Sequence, residues 1–401
     1  MHWKKLFSCE LHSIFSNIPL LVTVFGGVFI YSFLYPLPYI NQTPTKQNIA
    51  MINLDNSPIS RKIARMVNAT PQINISEQQF TIEQAKASVI KGDISGFLLI
   101  PENFYKDLLL AKSPHLVFAG NAAYFLVYGT IIEGLVRSAS TVVAEVKVSK
   151  MVMSGENIAL AASQYTPIGL NLKPTFNPSL GYINYIVPAV FILILHQTLL
   201  IAAGLLTAGQ FEQKIQQQRL INRKKYYWLN FPAWQIIMVR SVIMLNIYLL
   251  LSCYYFGFSF DYYGISTNAN LVELLRLTIP FLLSVIFLGI IIGLLIPRKE
   301  LATLIVLLTS LPLVFCAGFI WPTTNIPAAI NIVAQLFPST PAINGFLRLN
   351  QMGDNFDNLV NIRAHLWLLT GFYGLLAISL LTIKQQNMLL PDTKSKHESL
   401  S

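Results

Sequence analysis

Two uncharged runs, Pro174 to Phe211 and Leu301 to Leu347, constrain this chain more than any other feature. A segment that apolar has no stable place on a soluble surface, and about 20 mostly apolar residues suffice to cross the hydrocarbon core of a bilayer. Six stretches meet that length: Ile18 to Pro38, Tyr182 to Leu206, Trp234 to Gly257, Leu277 to Pro297, Leu301 to Ile320 and Ala364 to Ile383. Composition agrees, with 11% charged residues where a soluble domain has about 25%. The expected fold is an α-helical polytopic membrane protein with six transmembrane helices and an inserted α/β domain outside the cytoplasm.

Two stretches need separate treatment. Ser113 to Ile132 is uncharged and long enough to span, but it contains Pro114, Gly120 and Gly129 and runs straight into "EGLVRSAS". It reads as a buried strand, "HLVFAG", followed by an amphipathic helix of a soluble domain. After Ile320 the second uncharged run becomes "WPTTNIPAAINIVAQLFPSTPAING". Prolines 322, 327, 338 and 341 cut it into short pieces, which predicts a re-entrant or interfacial segment over 321–347.

Basic residues set the orientation. Lys4 and Lys5 precede span one, and Lys214, Arg219, Arg223, Lys224 and Lys225 lie between spans two and three. Arg298 and Lys299 follow span four, and Lys384, Lys394 and Lys396 follow span six. All share one side if both termini are cytoplasmic, and the short loops opposite are poorer in lysine and arginine. The net charge of +10 therefore reads as membrane orientation, not as nucleic-acid binding. The expected organisation is an amphipathic helix over 1–17 and a retained span over 18–38. An extracytoplasmic domain follows over 39–180. A five-helix membrane region over 181–383 contains a cytoplasmic connector, 209–231, and a cytoplasmic tail occupies 384–401.

The inserted domain alternates strands and helices, the pattern of a small α/β fold. "NIAMINLD", "INISEQQ", "ISGFLLIP" and "HLVFAG" read as strands. "ISRKIARMVNAT" and "TIEQAKASVIKGD" read as helices, the second capped by Thr81 and ended by Gly92. Asp55, Glu133 and Glu145 are its candidate acids, but they read as a turn residue and two solvated helix positions. His115 reads as a strand-edge residue. Cys9, Cys253 and Cys316 are far apart and form no CxxC, so neither a metal site nor a disulfide framework is expected.

The order of these parts carries a resemblance. "MINLDNSPISRKIARMVNATPQ", "KGDISGFLLIPENFYKDL", "FNPSLGYINYIVPAVFILILHQ" and "AGFIWPTTNIPAAINIVAQLFPSTPAINGFLRL" together resemble the exporter permeases of the second ABC type. The subgroup is the one with a large outer domain after span one, common in Gram-negative inner membranes. The resemblance implies half of a transporter that pairs with a second permease, alike or different, and docks two cytoplasmic ATPase subunits. A periplasmic adaptor is a further partner by analogy. The chain has no GxxxxGK[ST] loop to cradle phosphate. No cofactor or catalytic constellation is therefore expected in it, and ATP belongs to the partner.

The resemblance also implies that the connector presses on the ATPase through a short helix. Gln210 to Leu220 suits one, with Phe211, Ile215 and Arg219 on one face. Phe211 and Ile215 are then groove anchors, and Glu212, Lys214 and Arg219 set the register. Many relatives have a Glu-rich segment and Gly-Thr here; this chain has Glu212, several glutamines and no Gly-Thr. "KYYWLNFPAWQ" returns to the membrane with aromatics suited to the interface belt. "HWKKLFSCELHSIFSN" reads as an amphipathic helix on the inner surface.

Polar residues inside spans are costly and mark candidate function. Asn184, His196, Gln197 and Asn246 are the candidate translocation pathway; hydrogen bonding between helices explains them equally. Arg240, about two turns into span three, is expected to snorkel to the cytoplasmic surface. Two rival functions remain: a membrane-anchored sensor, which would not need five further spans, and an ion-coupled transporter, which usually shows internal repeats.

Overall fold

The apolar runs become long helices in the computed structural model, which describes residues 2–40, 43–78, 81–110, 112, 114–155, 157, 175–177, 181–216 and 226–389. The chain divides into two compact units, Met1–Ile40 with Gly181–Ser401, and Asn41–Leu180.

The first unit is helical. A short helix α1 (His2–Phe15) precedes α2 (Ile18–Tyr39). Asn17 separates them, its side chain accepting from the Leu20 amide as an N-cap. After the second unit come α7 (Ile186–Gln216), α8 (Ala233–Tyr263), α9 (Leu271–Leu295) and α10 (Glu300–Cys316). Two short helices, α11 (Ala328–Gln335) and α12 (Ser339–Phe346), lead to α13 (Phe356–Met388).

Small residues let α7 and α9 approach closely. A Cβ on Gly293 would lie 2.5 Å from the Gly204 carbonyl oxygen, and one on Gly289 would lie 2.7 Å from Ala203 Cβ. The spacing of four in "GIIIG" puts both glycines on one face, the small-residue seam by which membrane helices pack. Neither glycine was singled out from the sequence.

The second unit is a four-stranded sheet with helices. Strands β1 (Gln47–Asn53), β2 (Ile73–Gln78), β3 (Gly96–Ile100) and β4 (Val117–Gly120) take the order β2-β1-β3-β4. The first three are parallel and β4 is antiparallel to β3. The crossovers are α3 (Pro58–Asn68) and α4 (Ile82–Lys91), and α5 (Phe104–Leu109) follows β3. Thr81 caps α4 in a full capping box with Gln84, and Gly92 ends it at φ 84°, as the sequence requires. The long α6 (Phe125–Met153) buries Ile131, Leu135 and Val142 with Ile49, Ile63 and Leu98. Among the candidate acids, Glu145 pairs with Lys62, Glu133 with Arg137, and Asp55 accepts from the Tyr105 amide.

Among the described residues six helices are long and apolar enough to cross a membrane, the expected number, but not the expected six. By length and composition α6 qualifies, while α10 is short at 17 residues. The expected span to Ile320 stops at Cys316 because Gly318 turns to φ 87°, a conformation that suits glycine. The packing of α6 into its sheet is that of a domain helix. About 25 Å for α10 lies at the lower limit for a span.

Candidate functional site

Buried charge marks the candidate site. Leu6, Glu10 and Ile14 fall four apart on α1, and all three are buried. Trp3, Phe7, Leu11 and Phe15 form the exposed apolar row beside them. The first row docks into the helical unit and the second stays exposed. A carboxylate in the buried row requires a cation, and α8 supplies Arg240.

Glu10 is 0% exposed and Arg240 2%. Arg240 Nε donates to Glu10 Oε2 at 3.0 Å and Nη2 to Oε1 at 2.9 Å, the bidentate fork that guanidinium and carboxylate favour. Nη1 donates to Thr207 Oγ1 at 3.0 Å and Nη2 also to Gln210 Oε1 at 2.8 Å. Tyr227 completes the cluster by donating to Glu10 Oε1 at 3.0 Å while accepting from Gln210 Nε2 at 2.8 Å. Ser13 Oγ lies 3.1 Å from the same phenol oxygen and, with the tyrosine proton already committed to Glu10, is the donor there. Burial, then the Glu10 charge, pushes the Tyr227 phenol well above its usual range, so it remains a donor at any physiological pH. The cluster is neutral overall and joins four pieces of chain: α1, the end of α7, the start of α8 and the returning connector.

A second knot lies on the same pieces. Phe211 packs on Trp228 at 4.7 Å, and the Lys384 ammonium stands 4.5 Å from the Phe211 centroid. Gln385 Nε2 donates to the Trp228 carbonyl at 2.6 Å and the Phe231 carbonyl at 3.1 Å. The connector is therefore held by the last turns of α13 as well.

These contacts correct several expectations. Arg240 does not snorkel; Glu10 compensates its charge in place. Phe211, expected as an anchor in a partner's groove, is 4% exposed and already committed inside this chain. Of the aromatics expected at the interface belt, Trp228 is buried against Phe211 and Trp234 is exposed. The helix expected over Gln210–Leu220 does not begin afresh, because α7 continues unbroken through Gln216. Glu212 is half-buried and accepts from the Lys299 amide at 3.4 Å. Lys214 and Ile215 lie on that last turn of α7, their side chains outside the described residues; Arg219 lies outside them altogether.

The four candidate pathway residues do not converge. His196 is fully buried against Phe281, ring centroids 6.5 Å apart, and neither ring nitrogen has a hydrogen-bond partner among the described residues. Asn246 is exposed on the opposite character of surface, its amide donating to the Val242 carbonyl at 2.7 Å. Asn184 and Gln197 are half-buried, and Asn184 Oδ1 has no partner among the described residues. Among these residues too, no group of histidine, cysteine or acid side chains is placed to hold a metal ion.

Glu10, Thr207, Gln210 and Tyr227 were not singled out from the sequence. The available signal was reciprocal: one acid in an apolar helical row and one base inside a span, each needing the other.

A family model described as "ABC-2 family transporter protein" matches residues 19–379. No curated protein matches the chain.

Proposed function

The chain belongs to the ABC-2 family of transporter proteins, and from that premise we propose that it is the membrane-spanning permease subunit of an ATP-driven exporter. It pairs with a second permease and with cytoplasmic ATPase subunits that bind and hydrolyse ATP. The membrane is the bacterial inner membrane, with both termini cytoplasmic and the inserted domain on the periplasmic side. That domain is where a periplasmic adaptor would take over the substrate.

The observation that carries this reading is the Glu10–Arg240 cluster. An exporter whose ATPase sits outside the membrane needs a stiff route from the contact surface to its spans. The connector leaves α7 and returns to α8, and the cluster clamps its two ends to each other and to α1. A buried bidentate pair resists sliding, because separating it leaves a charge uncompensated at a cost of about 3–5 kcal/mol. A push on the connector then moves α1, α7 and α8 together. Since Phe211 faces inward, the contact surface is assigned to Glu212, Lys214, Ile215 and Arg219.

Charge reversal at Lys214 and Arg219, with the protein still produced at normal level, is expected to reduce co-purification of the ATPase subunit. Unchanged co-purification would remove these residues from the contact.

A further inference from the structure

At the same end of the membrane unit, two cavities share Asn17, Pro19 and Lys299 in their walls. One, of about 460 Å³, is mixed in character: Ser13, Ser16 and Asn17 from the α1–α2 junction and Gln210 of α7 share its walls with Ile18, Leu206 and Lys299. The other, of about 500 Å³, is mainly apolar and runs along Leu205, Thr303, Leu304 and Leu307, with Glu300 beside Lys299 at its head. Leu304 and Leu307 are 50% and 63% exposed on a helix of almost wholly apolar composition, so hydrocarbon is their natural neighbour. The stem of Lys299 passes over Gly209, whose added Cβ would lie 3.9 Å from Lys299 Cδ. Among the described residues the Lys299 ammonium has no ion-pair partner.

Side by side, with three wall residues in common, these cavities make an amphipathic slot: hydrogen-bonding groups with one cation and one anion at its head, and an apolar channel next to them. We propose that the slot between α2, α7 and α10 holds a single phospholipid with a zwitterionic amino headgroup. The lipid phosphate meets Lys299 and the Asn17 amide nitrogen, the ammonium meets Glu300, and one acyl chain lies along Leu205, Leu304 and Leu307. Charge complementarity selects this occupant. A purely anionic head would leave Glu300 facing like charge, and an uncharged ligand would leave Lys299 unanswered. Basic pockets between spans at the membrane surface take lipid headgroups for the same reason. The proposal rests on the membrane embedding of the family and is independent of ATP coupling.

The test is native mass spectrometry of the full chain released from detergent after titration with phosphatidylethanolamine or phosphatidylglycerol. One stable phosphatidylethanolamine adduct is expected. Lys299→Gln should weaken it about fivefold, the contribution of one basic residue at a membrane surface, and Lys299→Arg should restore it. Glu300→Gln should abolish the preference over phosphatidylglycerol while the chain still binds lipid. Leu304→Trp, which fills the channel without adding charge, should displace the adduct. Retention indifferent to Lys299→Gln and Leu304→Trp would overturn the assignment. So would disulfide formation between two copies at Leu304→Cys in native membranes, which would place a second copy of this chain in the slot.

Discussion

Arg240 shows how a single position can be read rightly as unusual and wrongly as to its role. Its place inside a span was evident, and snorkelling is the usual escape for a long cation near a membrane surface. The structure instead provides Glu10, far away in sequence and fully buried. Such pairs are kept for register more than for stability, since apolar replacements of similar volume are often no less stable. Arg240→Leu alone should therefore cost about 3–5 kcal/mol, the consequence of an orphaned Glu10. The double variant Glu10→Leu/Arg240→Leu should recover most of it. Thermal unfolding of the purified chain in detergent separates the two cases; equal loss in both would mean that the cluster is not a coupled pair. Tyr227 adds a pH signature. Its phenol is raised in the folded state, so its contribution is fully present below the unfolded value of about 10 and falls as pH rises beyond it. The stability difference between wild type and Tyr227→Phe should be constant through neutral pH and shrink above about pH 10. A difference that stays constant above about pH 10 would contradict a raised phenol in this cluster.

At the scale of elements, periodicity made the inserted domain legible almost residue by residue. Strand alternation, the Thr81 cap and the Gly92 stop are local signals, and local chemistry decides them. The ends of membrane helices were less legible, because a hydropathy run does not state where the backbone turns. Gly318 stops α10 four residues before the apolar run ends. The α7–α9 seam is not legible in "GIIIG" alone, because only a neighbour's surface shows that a glycine is in close contact. Gly293→Val would push side-chain atoms into the Gly204 backbone and should cost about 1–3 kcal/mol by overpacking. Gly371→Ala on α13, where an added Cβ meets nothing within 4 Å, should be neutral or slightly stabilising. Thermal denaturation of both variants checks the contrast, and equal behaviour would contradict a close α7–α9 seam.

For the whole molecule, the order of parts identified more than any one residue did. A basic start, one span, an α/β insert and further spans gave the family, and the family model spans residues 19–379. The candidate site was only half legible. The polar cluster and the Phe211–Trp228–Lys384 knot both hold the connector. Sequence spacing alone does not distinguish a face turned outward from one turned onto the chain's own helices, as Phe211 shows. The pathway residues do not converge for a related reason: a polar side chain inside a span is equally at home lining a route or buried between helices. The central claim, that this chain is the membrane half of an ATP-driven machine, depends on a partner. Its most direct test is a mild-detergent pull-down of the tagged full chain from its native membrane, with mass spectrometry of the proteins retained. A P-loop ATPase in stoichiometric amount is the expected result. A preparation free of any ATPase, reproduced after chemical cross-linking, would contradict it.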